Sequence, residues 1–314
     1  MAGGLTPGAW RPPGGAGSRS RAAALSIASN SALILLKIVA GALTGSVAII
    51  TEAIHSAIDL IASVIAFVSV RQAEHPADAE HRYGHDKFEN VGAGIEGVLI
   101  LVGSGIIVYT AVSHLVDGAE VERIGIGIGV VGFTVVVNLV VSTYLYRRAA
   151  ATESPALAGD AAHLRTDAFT SLGVVVALTL VAITDEAWID PAIALVIAVA
   201  IVVTGYRVVS GSWRVLVDEA LPAEEMAAIQ GAIEQFAGHG VVGYHKLRTR
   251  RAGPSRYIDV HLQFRAGTTL EDAHRIAHQL QDAIRGRLRG ADVLIHLEPE
   301  DNLHPGTELS VTAG

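Results

Sequence analysis

The sequence predicts an α-helical membrane protein, a six-transmembrane-helix bundle joined to a C-terminal cytoplasmic α+β domain with the order α-β-β-α-β. Three observations carry that prediction. Apolar runs of about 20 residues recur along the first two thirds of the chain, and that length crosses a hydrocarbon core of ~30 Å. Lys and Arg collect on one side of those runs. Beyond about Leu216 the composition turns into the ordinary mixture of a soluble domain.

Composition narrows the class. Of the 314 residues, 51% are hydrophobic and 17% charged, and the mean hydropathy is +0.44. Such a chain is neither disordered nor an ordinary soluble enzyme. A net charge of −8 argues against nucleic acid as a partner. The absence of cysteine removes disulfides, thiolate zinc sites and cysteine nucleophiles. Any metal site must then be built from His, Asp and Glu. Residues 1–22 are rich in Gly, Pro and Ser and carry Arg11, Arg19 and Arg21, with neither a hydrophobic core nor a cleavage site. They read as a disordered cytoplasmic tail rather than a signal peptide.

The membrane domain is expected over residues 23–209, with spans at Ala24–Leu43, Val47–Val70, Val91–Leu115, Ile124–Leu145, Ala156–Ile183 and Pro191–Val208. The "TGS" turn makes spans one and two a tight hairpin, and "GIGIGVVGF" in span four suits close helix contact. Arg71, Arg82, Lys87, Arg147, Arg148, Arg207 and Arg214 fall on the side of the N-terminal arginines, whereas Arg123 stands with Asp117, Glu120 and Glu122 on the other. The first side is therefore cytoplasmic, and both termini lie inside a multi-pass cell-membrane protein.

Residues 210–302 form a linker and the soluble domain. "AEEMAAIQGAIEQFA" has helical periodicity, and "GYHKLRTRRAGPSRYIDVHLQF" reads as two strands around a Gly-Pro turn. In the second strand Ile258, Val260, Leu262 and Phe264 face one way, and Tyr257, Asp259 and His261 the other. A helix from about Leu270 to Leu288 and the strand "DVLIHLEPE" complete the domain. Residues 303–314 form a tail without a pattern.

Ionisable residues inside the apolar runs are costly, at roughly 2.5–3.5 kcal/mol each on insertion scales. His55 and Asp59 are four apart in span two, and His163 and Asp167 are four apart in span five. That spacing puts both members of each pair on one helix face. At ~1.5 Å per residue both pairs sit roughly 10–18 Å deep, so they can meet near the midplane. Two imidazoles and two carboxylates make a tetrahedral shell for a borderline divalent ion such as Zn²⁺. The alternative is polar glue between helices, each His hydrogen-bonded to an Asp. Asp160 reads either as an entry ligand or as an interfacial helix cap. Lys37, Glu96, Asn30 and Asn138 read as interhelical partners, and Glu52 as a residue supporting His55.

These paired HxxxD elements, the six-span layout and the soluble tail resemble the cation diffusion facilitator family, and within it the zinc-transporting branch. The resemblance runs from about Ser26 to Asp301. It implies a homodimer with metallochaperone-like cytoplasmic domains, one transport site per protomer, and His55, Asp59, His163 and Asp167 as the transport ligands. In "HPADAEHRYGHDKFE", a loop rich in His and mixed in charge, it implies a second site at Asp78, His81 and His85. In the soluble domain it implies a binuclear site at His245, His261, His274, His296 and Glu298. Here Leu297 and Glu298 depart from some relatives, which puts the second ion of that site in doubt.

The implied function is a proton-coupled Zn²⁺ antiporter that exports zinc, with Cd²⁺, Co²⁺ and Fe²⁺ as other candidate ions. Its partners would be the lipid bilayer, divalent metal ions, protons and a second copy of the chain. Two other classes compete. An intramembrane zinc-dependent metalloenzyme would use the ion to activate water, but there is no HExxH motif, no serine nucleophile motif and no spare carboxylate base. A membrane metal sensor without transport would have no need of six spans around a midplane site.

His55→Asp is expected to broaden selectivity towards Cd²⁺ or Mn²⁺, because a hard oxygen replaces a borderline nitrogen and adds charge. Uptake rates measured across a panel of metals check this, and unchanged ratios would remove His55 from selectivity.

Overall fold

Among the residues that the computed structural model describes (18–44, 47–117, 127–184, 186 and 188–300), long helices account for the whole apolar part of the chain. They are α1 (Ser18–Thr44), α2 (Val47–Ala73), α3 (Lys87–Asp117), α4 (Gly127–Thr152), α5 (Pro155–Thr184) and α6 (Ile189–Leu216). Parts of α1, α3, α5 and α6 are each long and apolar enough to cross a membrane: Ser18–Ala40, Lys87–Ser113, Pro155–Val181 and Ile189–Leu216. Burial follows the membrane rule rather than the soluble one. Ile106, Val140 and Val199 are 62%, 65% and 65% exposed, while Lys37, Glu96 and Asp160 are 1%, 0% and 0% exposed. Apolar side chains face outward, and ionisable ones face the bundle interior.

Helix α5 packs against α1, α2, α3 and α4. Around it, Ala22, Ala23, Val70, Val141, Leu145, Ala156, Leu157, Ala161 and Leu164 form a buried cluster. Small residues set the approach of α3 to α6: a Cβ at Gly205 would lie 2.9 Å from Leu101 Cγ, and one at Gly97 would lie 2.8 Å from Val209 Cγ2. Polar side chains bridge the helices. Lys37 Nζ donates to Ser56 Oγ at 2.6 Å, joining α1 to α2, and Asn30 Nδ2 donates to Ser63 Oγ at 2.8 Å.

Helix α1 begins at Ser18, inside the stretch expected to be a disordered tail. The reason is long-range. Arg19 is buried and paired with Glu89 of α3, and Ser20 Oγ donates to Glu74 at 3.0 Å. Glu89 also accepts from Ser154 at the start of α5. These contacts hold the first turn in place against a composition that favours disorder.

The residues from Arg214 form a second unit with its own core. It contains α7 (Ala223–Glu234), β1 (Val241–Ala252), β2 (Ser255–Phe264), α8 (Leu270–Arg287) and β3 (Ala291–Pro299). The sheet order is β1-β2-β3; β1 and β2 run antiparallel through the Gly253–Pro254 turn, and β2 and β3 run parallel across α8. A parallel pair needs such a crossover. Ala273, Ile276, Ala277, Leu280 and Ile284 make one buried stripe on α8 and meet Ile258, Val260, Leu262 and Phe264 of β2 in the core. Thr269 caps α8 by accepting from the Asp272 N–H at 3.1 Å, and acids in the first turn and arginines in the last complement the helix dipole.

Arg256 at the start of β2 is buried, and its Nε and Nη2 each donate at 2.8 Å to Glu225 of α7. The Arg256 hydrogen bonds hold the Glu225 carboxyl below its ordinary range, against a smaller opposing effect of burial. A carboxyl depressed by folding contributes its stability fully above its unfolded pKa and loses it as pH falls through the folded one. Glu225→Ala is therefore expected to cost the soluble domain about 2 kcal/mol at pH 7. Urea unfolding followed by circular dichroism checks this, and the difference from wild type should shrink as pH drops through the carboxylate range.

Candidate metal centres

Among the described residues, three clusters of His, Asp and Glu bring their ligand atoms within 4.8 Å of one another: Asp59, His163 and Asp167; Asp78, His81 and His85; and His245, His261 and Glu298. Donors around one tetrahedral zinc, each at ~2.0–2.2 Å, stand about 3.4 Å apart. A hydrogen bond closes to about 2.7–3.2 Å. The two separations distinguish a shell arranged around an ion from side chains that merely bond each other.

The first cluster joins α2 to α5. His163 Nε2 lies 3.5 Å from Asp59 Oδ1 and 3.7 Å from Asp167 Oδ2. His163 is buried, and neither ring nitrogen makes a hydrogen bond among the described residues. Buried polar atoms are almost always bonded, so an imidazole held at ion-shell distance from two carboxylates fits a cation. The side chain of His55 lies outside the described residues; its place on α2 is one turn before Asp59. One turn from this tier, Ser63 Oγ donates to Asp160 Oδ1 at 3.0 Å and lies 3.0 Å from Ser26 Oγ. Asp160 thus bonds across helices from inside α5, and it does not cap an interfacial helix end. Glu96 of α3 closes against Gly159 beside it.

The second cluster is built by a turn in the loop between α2 and α3. Asp78 Oδ1 accepts from the Glu80 and His81 N–H groups at 2.9 and 2.6 Å, and Gly84, at φ 85°, reverses the chain so that His85 returns towards Asp78. His81 Nδ1 and His85 Nε2 then lie 3.5 and 3.4 Å from the Asp78 carboxylate. His85 is buried with its ring stacked on Phe88. The His81 N–H holds the Asp78 carboxyl below its ordinary range; slight burial opposes it, and the Glu80 N–H and the two imidazoles help.

The third cluster lies on the sheet. Strand register aligns His245 with His261 and His261 with His296, so three imidazoles form a row across β1, β2 and β3. Glu298, two residues along β3 from His296, reaches the same row. His261 Nδ1 lies 2.6 Å from Glu298 Oε1, His245 Nε2 lies 3.2 Å from Oε2, and the exposed His296 lies 3.6 Å from Oε1. Burial pushes the Glu298 carboxyl up, but the His261 hydrogen bond and the three imidazoles outweigh it and hold the carboxyl below its ordinary range. A bulge follows His245, where Lys246 takes φ 49° and the register slips before Arg248. Bulges re-aim side chains, and nothing in the local sequence marks this one.

His274 stands apart from that row within the chain. Strand residues alternate faces, so the face of β2 opposite His261 is the one that α8 covers. His274 lies on the exposed side of α8, with its Nε2 3.1 Å from that of His278. Its i, i+4 spacing from His278 is the same one that marks the intramembrane pairs.

Both parts of the chain match known domains. The family model of the cation efflux transmembrane domain matches residues 23–217, and that of the cation efflux protein cytoplasmic domain matches residues 221–300. The chain is similar to an uncharacterized transporter of Synechocystis sp., 35% identical over 277 residues that cover 88% of this chain and 89% of the relative. It is also similar to the cation-efflux pump FieF of Klebsiella pneumoniae, 34% identical over 282 residues that cover 89% of this chain and 92% of the relative. The solved metal-bound C-terminal domain of the CzcD transporter from Thermotoga maritima is 26% identical, over 26% of this chain and 93% of that one, with a TM-score of 0.24.

Glu298→Gln keeps the shape of the sheet cluster and removes its only carboxylate charge. Zinc affinity of the soluble domain is expected to fall at least ~10-fold, a loss typical even of residues that only support metal ligands. Isothermal titration calorimetry checks this, and an unchanged affinity would exclude Glu298 as a ligand.

Proposed function

The chain belongs to the cation efflux (cation diffusion facilitator) family, and from that membership we propose that it exports Zn²⁺ from the cytoplasm in exchange for protons. The observation that carries this reading is the tier of Asp59, His163 and Asp167 inside an apolar bundle, with the imidazole 3.5 and 3.7 Å from its two carboxylates. His55 supplies the fourth ligand. Two imidazoles and two carboxylates suit a borderline ion, which favours Zn²⁺ over hard ions such as Mg²⁺ and leaves Cd²⁺, Co²⁺ and Fe²⁺ as further cargo. Four protein ligands leave no open position for an activated water, so the site carries an ion and does not use one for hydrolysis.

Helices α1 to α6 each cross the bilayer, with both termini in the cytoplasm. The charge asymmetry of the loops supports that orientation. Asp78, His81 and His85 form a second site in the α2–α3 loop, and His245, His261, His296 and Glu298 form a third on the soluble domain. These sites meet zinc in the cytosol, and a second copy of the chain completes a homodimer through the soluble domains. Binding that occurs only in one arrangement of the dimer stabilises that arrangement by mass action.

Coupling follows from the nitrogen that Zn²⁺ and H⁺ share. A ring nitrogen must be unprotonated to take the ion, so the two compete at His163. Where protons are scarce the ion binds, and where they are abundant the ring takes a proton and the ion leaves. Asp59 and Asp167 attract either charge, so the tier stays compensated through the exchange.

Asp59→Ala and Asp167→Ala are each expected to reduce zinc uptake into proteoliposomes by more than about 100-fold, beyond the loss caused by residues that only support a ligand. The dimer should survive on size-exclusion chromatography. Wild-type flux in either variant would remove the midplane site, and flux indifferent to an imposed pH gradient would remove the proton coupling while leaving the ligands in place.

A further inference from the structure

The tier of Asp59, His163 and Asp167 stands between two unlike halves of the bundle. Towards the Ala73 end of α2, Asp59 is followed on the same helix face by Ser63, Ala66, Val70 and Ala73, none more than 4% exposed. On α5 the stripe of Asp167 and His163 continues as Asp160 and Ala156, both buried. Helices α2 and α5 pack together, so the seam on this side of the tier is closed. Beyond Asp167 the opposite holds. A cavity of about 250 Å³ is lined by Thr170, Gly173 and Ala177 of α5, by Ile106 and Thr110 of α3, and by Asp190 of α6. Thr170 lies one turn from Asp167, so the cavity starts within a turn of the tier.

A clasp of buried polar groups lies across the closed end. Arg19 of α1 places Nη1 2.5 Å from Glu89 Oε1 at the start of α3, and Nε 3.8 Å from Glu74 Oε1 just past α2. Ser154, which precedes α5, donates its hydroxyl to the other Glu89 oxygen, and Ser20 Oγ donates to Glu74 at 3.0 Å. The ends of α1, α2, α3 and α5 thus meet on one arginine and two glutamates. Ala22 and Ala23, one turn along α1 from Arg19, pack with Val70, Ala156 and Leu157, so the clasp stands over the same seam.

A buried ion pair fastens in a particular way. Its attraction is largely offset by the dehydration of both charges, so it holds with little net free energy and lets go when water reaches both. Removing one partner alone has a different effect. The charge left behind is buried and unpaired, and it escapes that state only if the end opens.

Resting on the reading that the bundle is a carrier with this end in the cytoplasm, we propose that Arg19 and Glu89, with Glu74 and Ser154, form the cytoplasmic gate of the transport tier. With the clasp made, the tier faces outward through the cavity beside Thr170. With it broken, the ends of α1 and α3 part from α5, and the Ala66–Val70 seam admits water and the ion. These four residues bind no cargo; they set how long the tier faces each side.

The full chain has no cysteine, so single thiols report on each side without background. Ala66→Cys places one in the closed seam, and Thr170→Cys places one in the cavity. A membrane-impermeant, positively charged methanethiosulfonate is applied to oriented vesicles without metal, from the cytoplasmic face for position 66 and from the outer face for position 170. Glu89→Gln is expected to speed labelling at position 66 by ~10-fold or more and to slow it at position 170, because each rate follows the population of its reactive state. Arg19→Lys keeps the charge but lacks the planar fork. It should shift both rates in the same directions by less, and it carries the test if Glu89→Gln does not fold. Exchanging the charges, Arg19→Glu with Glu89→Arg, should return both rates towards those of the parent chains. Faster labelling at both positions would show a loosened bundle and overturn the gate, as would unchanged rates or an exchanged pair that restores neither. The readout uses no metal. Zinc could prove the wrong cargo with the opposite shifts intact, whereas zinc flux with unshifted labelling would overturn the gate alone.

Discussion

An ionisable side chain inside hydrocarbon must be answered by another helix, because no water is there to solvate it. That constraint organises the membrane domain. Asp59 of α2 stands opposite His163 of α5, Ser63 of α2 bonds Asp160 of α5, and Lys37 of α1 reaches Ser56 of α2. Helix α5 carries His163, Asp167 and Asp160 and packs against four neighbours. It is the element on which polar demands from the other helices converge. Apolar contact alone would not choose this arrangement, since lipid is as good a neighbour for valine as another helix is.

The soluble domain answers a different constraint, the alternation of a strand. Each residue of β2 that enters the core sends its neighbour to the other face. Ile258, Val260 and Leu262 meet the helices, and His261 is thereby placed on the opposite face in register with His245 and His296. Hydrophobic burial thus positions the histidine row as a by-product. The bulge at Lys246 lets β1 carry His245 in that row and then resume pairing at Arg248.

The three clusters differ in the spacing of their side chains. In the bundle and the loop, imidazole and carboxylate are held between 3.4 and 3.7 Å apart, too far for a hydrogen bond and suited to an intervening ion. On the sheet, Glu298 has closed on His261 at 2.6 Å, and an ion there must first separate the two. The first two spacings are open as they stand, and the third is closed by a hydrogen bond.

Much of this was legible in the sequence, because it rests on local periodicity. Runs of apolar residues set the helices, the i, i+4 spacing put His163 with Asp167 on a single helix face, and alternation sorted β2 into a core face and a histidine-bearing face. These properties depend only on a residue and its near neighbours, and the paired HxxxD elements were specific enough to point to the family. The tertiary structure alone decided the rest. Ser18 to Arg21 are helical because Arg19 reaches Glu89, seventy positions away. Asp160 bonds Ser63 from within a different helix, and Lys246 sits in a bulge that only pairing with β2 defines. Each of these depends on which surfaces meet, a choice made by the free energy of the whole packed chain and by no single segment of it.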